Sequence, residues 1–330
     1  MLQPFRFRIA SAASLAILLA ACGGGSGGTS GVAAATTVVA PVPVISVEAN
    51  APRLIGNTAT DGLNWINFRR QQIGVQQLSR NSAIDAAAQG HSDYQKANNT
   101  ISHTQTLGNP GYTGVRLADR LMAAGYRFTS STYAYGEVIA STGDTSGANA
   151  AEDLITAIYH RFVIFEPMFK EVGVGGATIA GGYTYFTADL VSDNLDRGLG
   201  VGKMVTYPVD AQQNVLRQFS SDNETPDPVP GKNLVGFPVS VHADVGSTVK
   251  TRSFTLSPRC GVPAAPGCGV ALAASQTLLL TAETDAQHTP GSAAALIPLD
   301  VLAAQTTYDA RFIGTVNGVE VNRGWSFTTR

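Results

Sequence analysis

Residues 159–175 read YHRFVIFEPMFKEVGVG. The first half is apolar except for His160 and Arg161, which interrupt it. We expect this half to end a helix that begins in ANAAEDL, because Pro167 cannot continue a helix. The second half opens EVGVGGATI, a run typical of a strand. The stretch therefore predicts a helix followed by a strand, with two polar side chains in an otherwise apolar helix.

Three more helices are predicted upstream of this one. Asp61 is expected to cap a helix over LNWINFRRQQIG, and Asn81 or Ser82 to begin a second over AIDAAAQGHSDYQKAN. A third covers GVRLADRLMAAGY and ends at Gly125, with four residues predicted to face inward: Val115, Ala118, Leu121 and Met122. TYAYGEVIAS and YTYFTADLV have strand character. Helices followed by strands indicate an α+β fold with helices packed on a small antiparallel sheet.

Three motifs occur in a fixed order along this region. HSDYQKANNTISH covers residues 91–103, GYRFTSSTYAYGEVIA covers 125–140, and the opening stretch follows. Together they resemble the CAP superfamily of sperm-coating and pathogenesis-related proteins, in its bacterial form. The resemblance covers residues 50–195 and implies an α-β-α sandwich.

The same resemblance implies a central cleft built around His103, Glu137 and His160. Two imidazoles and a carboxylate form a ligand set that Zn²⁺ or another divalent cation accepts. Two positions depart from the family pattern: Val138 replaces an Asn, and Glu152 is out of phase for a fourth ligand. Two interpretations of His160 stay open, a cleft ligand or a helix-end residue that bonds the last carbonyls.

Other polar residues of this region have structural interpretations. His91 lies on the apolar face of its helix, which favours a hydrogen-bonded core histidine. Arg161 is expected to pair with an acid or a strand carbonyl, and Glu171 to be structural. Residues 173–176 (GVGG) are predicted as a tight turn and not a nucleotide-binding loop, because no helix follows.

The N-terminal segment has the layout of an export signal. Arg6 and Arg8 precede thirteen small and apolar residues, too few to span a bilayer. LAAC, which ends at Cys22, resembles a bacterial lipobox; the alternative is a cleaved signal with a chance cysteine. We expect residues 1–21 to be the signal peptide, Cys22 to be lipidated, and residues 22–49 to form a flexible linker. Gly23 favours the outer membrane by resemblance to Gram-negative lipoproteins.

The C-terminal region is predicted to be all-β. We expect a linker over 196–231 and an Ig-like β-sandwich over 232–330, with Asn317-Gly318 as a type I′ hairpin turn. An exported protein permits a disulfide between Cys260 and Cys268. His242 and His288 are expected at loop or surface positions.

Composition excludes one class of partner and leaves three hypotheses. The net charge is −2, so no basic surface indicates nucleic acid. The first hypothesis is an envelope protein, lipid-anchored and without catalysis, that binds a small lipid, a divalent ion or an envelope partner in the cleft. The second is a metal-dependent hydrolase that uses the same cleft. The third is an adhesive or structural protein that acts through the Ig-like domain.

Overall fold

The computed structural model describes residues 15–16, 48–196, 198–261 and 267–330. The predicted signal peptide, lipobox and linker therefore lie almost entirely outside the described residues. The helices are α1 (Thr58–Gln72), α2 (Ser82–Asn98), α3 (Leu117–Ala123), α4 (Gly147–Thr156) and α5 (Ile158–Ile164). Strands β1 to β5 are Leu15–Ala16, Ser79–Arg80, Ala134–Thr142, Glu171–Thr178 and Thr184–Ser192. Strands β6 to β15 are Val205–Tyr207, Gln212–Val215, Gln218–Ser220, Leu234–Gly236, Val239–His242, Val249–Pro258, Thr277–Leu280, Ala293–Pro298, Thr307–Val316 and Val319–Thr329.

The first half of the chain is a three-layer arrangement around one sheet. The sheet has the order β1-β3-β5-β4-β2, and its three long strands are antiparallel. Helices α2 and α3 contact one face, whereas α1, α4 and α5 contact the other. Mixed helices and strands confirm the predicted α+β class.

Residues 173–176 lie inside a straight strand, so the predicted tight turn is wrong. Gly173 and Gly175 face α2, where a Cβ on either would come within 2.0 Å of Ile84 and 2.4 Å of Ala88, respectively. Glycine is therefore required at both positions because the helix backbone packs directly on the strand.

The caps of α1 and α2 and the inward-facing residues of α3 agree only in part with the sequence prediction. Asn81 caps α2, as expected. The cap of α1 is Asn57, because the Asp61 carboxylate accepts instead from the amides of Ile55 and Gly56. In α3 the inward residues are Leu117, Arg120 and Leu121, and the predicted inward residues Val115 and Met122 are exposed.

The predicted fourth helix is two helices with a break at Ala157. Ala157 has extended dihedral angles, so α4 ends and α5 begins there. The Arg161 guanidinium donates to the carbonyls of Ile155 and Thr156, which the break would otherwise leave without partners. The same guanidinium also donates to Pro238 O at 2.7 Å. Arg161 therefore binds carbonyls of a helix end and of Pro238, and not the acid or strand carbonyl that was predicted. It connects the helical half to the β-rich half.

The second half is all-β and begins earlier than the sequence suggested. Two four-stranded sheets have the orders β12-β13-β10-β6 and β11-β14-β15-β7, and β8 pairs with β9. Residues 196–231, predicted as a linker, supply β6, β7 and β8. Asn317 and Gly318 both have positive φ at the β14–β15 turn, and Cys260 is bonded to Cys268.

The two halves share a continuous apolar core. The His242 ring contacts the rings of Phe162 and Phe165, and Phe165 contacts Tyr207. His242 is buried, so the expected loop or surface position is wrong for this residue. His288 lies half-buried in a turn beside Asp285, as expected for a loop.

Glu166 crosses the same boundary through a buried carboxylate. Its Oε1 accepts from the amides of Met168 at 3.1 Å and Val245 at 2.8 Å. Burial raises the pKa of Glu166 to about 7 and nearby Asp244 adds to the rise, against the opposing effects of the two amides and Arg70. The folded state therefore holds a proton that the unfolded chain releases near its ordinary pKa of 4.5.

We expect Glu166→Gln to remove part of the alkaline loss of stability. A carboxyl whose pKa rises on folding stabilises the folded state fully at pH values below its unfolded-state pKa. That stabilisation is lost as the pH rises through the folded-state pKa. The wild type should lose about 3 kcal/mol of unfolding free energy at this site between pH 4.5 and pH 8. The Gln variant keeps an acceptor oxygen, and its unfolding free energy, measured with urea, should lack this dependence on pH. The exposed substitution Glu283→Gln is the control, and an unchanged slope in Glu166→Gln would contradict the assignment.

Candidate functional site

A buried polar cluster lies between the sheet and the α2–α3 layer. Alternation along β3 and β5 places Glu137, Thr187 and Asp189 on this face, and the register sets Glu137 opposite Asp189. His91 comes from α2 and Arg120 from α3. These residues form one cluster because alternate residues of the strands point to the face of the sheet on which α2 and α3 pack, and His91 and Arg120 lie on the helix faces that contact it.

Glu137 is the centre of this cluster. Its Oε2 accepts from the Arg120 guanidinium, and its Oε1 accepts from His103 Nδ1 at 2.8 Å. Arg120 also donates to the His103 carbonyl at 3.0 Å. The side chain of Arg120 is fully buried, whereas that of His103 is 10% exposed. His103 and Glu137 are thus brought together as predicted, with a buried arginine as a third member.

The hydrogen bonds of Gln105 determine the tautomer of His91. Gln105 Oε1 accepts from the amides of Thr113 and Gly114, so its Nε2 faces His91 Nδ1 at 3.0 Å. Nδ1 must therefore accept, and Nε2 donates to Ser102 O at 2.8 Å. Burial lowers the pKa of His91 to about 4, in agreement with a neutral ring. The predicted core histidine is confirmed.

Asp189 is the unsatisfied member of the cluster. It is fully buried, and among the described residues no donor reaches either of its carboxyl oxygens. Burial first, and then the charge of Glu137 opposite, raise the pKa of Asp189 well above its ordinary value. A neutral Asp189 can donate its proton towards Glu137, as expected where two carboxyls share one site.

Glu137 is the anionic partner of this pair. Burial is the largest influence on it and would raise the pKa of its carboxyl. The neighbouring His91 and Arg120, with the hydrogen bond from His103, outweigh that effect and hold the pKa of Glu137 below its usual range. The cluster therefore contains one carboxylate, one neutral carboxyl and one guanidinium.

His160 lies outside this cluster, near the start of α5. Its Nδ1 donates to Glu224 Oε1 at 3.1 Å, and the same carboxylate accepts from the amides of Ile158, Tyr159 and His160. Glu224 follows the 3₁₀ helix Ser221–Asn223, within the region predicted as a linker. The carboxylate satisfies the first turn of α5 that the break at Ala157 exposes. His160 thus lies at the start of its helix, so the alternative that it bonds the last carbonyls is wrong.

The predicted trio does not form a metal-binding set. Within the part of the chain that the structure describes, no group of three or more His, Cys, Asp and Glu side chains could hold a metal ion. Glu137 already pairs with Arg120, and His160 is bonded to Glu224. The arrangement therefore does not fit Zn²⁺ coordination, and we derive no chemistry through a metal.

Sequence reasoning missed Arg120, Asp189 and Glu224. Arg120 falls on the apolar stripe of α3 beside Leu117 and Leu121, and Asp189 shares the period of Thr187 on β5. A charged residue on a buried face is a signal that could have identified these two. Glu224 lies in an irregular polar segment, and its sequence carries no such signal. Glu171 is structural, as predicted, and accepts from Asn81 and Tyr126.

Residues 63–190 match the family model described as "CAP: Cysteine-rich secretory protein family". The chain contains a CAP domain. The match spans β2 to β4, most of β5, α2 to α5 and most of α1. It includes His91, His103, Arg120, Glu137 and Asp189. Glu224, which contacts α5, lies outside the matched part of the chain.

Two solved structures are similar to part of this chain. One is an extracellular protein containing a SCP domain from Bacillus anthracis, with 24% identity and a TM-score of 0.33, over 41% of this chain and 40% of that one. The other is an outer surface protein from Borrelia burgdorferi, with 14% identity and a TM-score of 0.32, over 39% of this chain and 88% of that one. The chain thus spans less than half of the Bacillus protein. A search of curated proteins found no match.

We expect Asp189→Asn to change stability little and Glu137→Gln to change it greatly. An amide at 189 stays neutral and can donate to Glu137, so the change in unfolding free energy should stay within about 1 kcal/mol. Glu137→Gln leaves the buried Arg120 without an anion and should cost about 3–5 kcal/mol. Urea unfolding at neutral pH measures both.

Infrared spectroscopy gives an independent check of the same assignment. The wild type should show one more carbonyl stretch of a protonated buried carboxyl than Asp189→Asn does, because Glu166 keeps its own contribution in both proteins. A loss of stability in Asp189→Asn as large as that in Glu137→Gln would mean that Asp189 is charged.

Proposed function

We propose that this is an exported, lipid-anchored CAP-domain protein that acts by binding an envelope partner and not by catalysis. The lipobox-like sequence at Cys22 supports the anchor, and the Cys260–Cys268 disulfide suits an oxidising compartment. Among the described residues, no helix has the length and apolar character needed to span a bilayer. On this proposal the protein is held at the envelope, in the outer membrane, by acyl chains on Cys22.

The state of Glu137 supports binding over catalysis more than any other observation. A general base or metal-dependent hydrolase needs a carboxylate or imidazole with access to substrate. Glu137 is 6% exposed, and both its oxygens are occupied by Arg120 and His103. Glu137 therefore stabilises the fold, and within residues 48–196, 198–261 and 267–330 no assembled metal-ligand set supports the hydrolase hypothesis.

The same geometry favours a partner at the surface over a small ligand in the cluster. His91, Arg120 and Glu137 are buried and hydrogen-bonded to one another or to loop residues. A bound lipid or ion would have to displace those bonds. The linker of residues 22–49 would let the CAP domain reach a partner roughly 25–30 Å from the membrane anchor.

We expect Cys22→Ala to release the protein from membranes. The wild type should fractionate with membranes, dissolve only in detergent, and carry an N-terminal mass that fits an acylated Cys22. The variant should lack that mass and lose membrane attachment, because an anchor of several acyl chains has been removed. Ser26→Ala, four residues along the linker, is the matched control. A free thiol on Cys22 of the wild type would contradict the anchor.

We expect no Zn²⁺ site that depends on both His103 and His160. Isothermal titration of Zn²⁺ into the wild type, His103→Ala and His160→Ala should show no one-site binding that is lost in both variants. The physical reason is that the Glu137 carboxylate beside His103 is already paired with Arg120, whereas the His160 imidazole is bonded to a different carboxylate, that of Glu224. One-site binding abolished by both substitutions would overturn this expectation and restore the hydrolase hypothesis. His288→Ala is the control.

A further inference from the structure

The segment that leads into α1 is fastened to the CAP domain at both ends. At its start, the Glu48 carboxylate accepts two hydrogen bonds of 2.7 Å from the Arg69 guanidinium, whose side chain is 4% exposed. At its end, the buried Asp61 carboxylate accepts from the amides of Ile55 and Gly56, both at 2.9 Å. The chain between Glu48 and α1 is therefore held in a fixed path.

This path leaves two adjacent large apolar side chains in solvent. Leu54 is 44% exposed and Ile55 is 67% exposed, and every residue from 53 to 57 is exposed. The bonds to Asp61 come from the amides of this same stretch, so they hold the backbone in the conformation that exposes both side chains. Apolar surface that a fixed backbone presents to water is typical of a contact site for a protein or a membrane.

The exposed charge of the same stretch is positive. Arg53 is exposed, and it is the only charged residue between Glu48 and Asp61. The two bordering acids are engaged, Glu48 by a guanidinium and Asp61 by backbone amides. An exposed cation beside two exposed apolar side chains matches the interfacial region of a bilayer, where anionic headgroups lie above acyl chains. Charge complementarity therefore favours a lipid surface as the occupant.

The position of this stretch along the chain brings it close to the proposed anchor. Under the proposed function, residues 22–47 connect the acylated Cys22 to Glu48, and a flexible linker of that length reaches roughly 25–30 Å. Leu54 and Ile55 follow Glu48 within the same fastened segment. A tether of this length keeps the loop at an effective concentration on the millimolar scale near the bilayer, so a weak contact is sufficient.

We propose that Arg53, Leu54 and Ile55 form a membrane-contact loop on the CAP domain. Leu54 and Ile55 enter the interfacial region of the phospholipid bilayer that carries Cys22, and Arg53 binds anionic headgroups beside them. The inference rests on the proposed function, because the acyl anchor supplies the bilayer. Helix α1 follows the loop and lies on the sheet face opposite α2 and α3. Contact through this loop thus leaves the α2–α3 layer available to an envelope partner.

Quenching of an added tryptophan by the bilayer tests the contact. The processed protein is reconstituted in vesicles of equal parts phosphatidylcholine and phosphatidylglycerol that contain a nitroxide-labelled lipid as quencher. Ile55→Trp places the reporter in the loop, and Met122→Trp, at a 50% exposed position of α3, is the matched control. The wild-type signal is subtracted, and both native tryptophans, Trp65 and Trp325, are buried.

The reporter at position 55 should be quenched about threefold more than the reporter at position 122, because only the loop enters the interface. Equal quenching at the two positions, or no quenching at position 55, would overturn the proposal.

A negative charge in the loop should abolish the contact. Leu54→Asp, made in the Ile55→Trp protein, should reduce quenching to the level of the Met122→Trp control, because an anionic surface repels a carboxylate that is also costly to bury. Val115→Asp is the matched control, since Val115 is 42% exposed and lies beside α3. Quenching that survives Leu54→Asp, or that falls equally with Val115→Asp, would also overturn the proposal.

Failure of the lipid anchor and failure of the loop contact are distinguishable. The N-terminal mass and co-sedimentation with vesicles show whether Cys22 is acylated. If Cys22 carries a free thiol, that thiol is coupled to a maleimide phospholipid, and Cys260 and Cys268 do not compete because they are bonded to each other. Quenching at position 55 of the coupled protein would support the loop contact and contradict the natural anchor. An acylated, vesicle-bound protein without such quenching would support the anchor and contradict the contact, as expected of a loop that serves a protein partner.

Discussion

The contact between the two halves of this protein depends on the side chains that bond the free backbone groups at the helix break at Ala157. A break inside a helical segment leaves carbonyls at the end of α4 and amides at the start of α5 without intrahelical partners. Arg161 donates to the carbonyls, and Glu224 accepts from the amides. Arg161 also donates to the Pro238 carbonyl, and Glu224 lies between β8 and β9 of the β-rich half. One local irregularity thus joins the CAP domain to the sheets beyond it.

The polar cluster of the CAP domain follows a related principle, since its charges are balanced within the fold. One guanidinium, Arg120, pairs with one carboxylate, Glu137, and the second carboxyl, Asp189, is neutral. Burying two carboxylates beside a single cation would leave an uncompensated charge at a high cost. The residues that resemble a catalytic or metal set are thereby used to stabilise the contact between sheet and helices.

Sequence patterns alone predicted the CAP domain, most of its helices and strands, the all-β character of the C-terminal half, the Asn317-Gly318 turn and the Cys260–Cys268 pairing. These features depend on local periodicity, turn chemistry and motif order, which a linear chain displays directly. The pairing of His160 with Glu224, and not with His103 and Glu137, is visible only in the tertiary structure. The same is true of the strands within residues 196–231 and of the burial of His242. The reason is that these outcomes depend on contacts between residues far apart in the chain, and burial of each charge selects the partner that neutralises it.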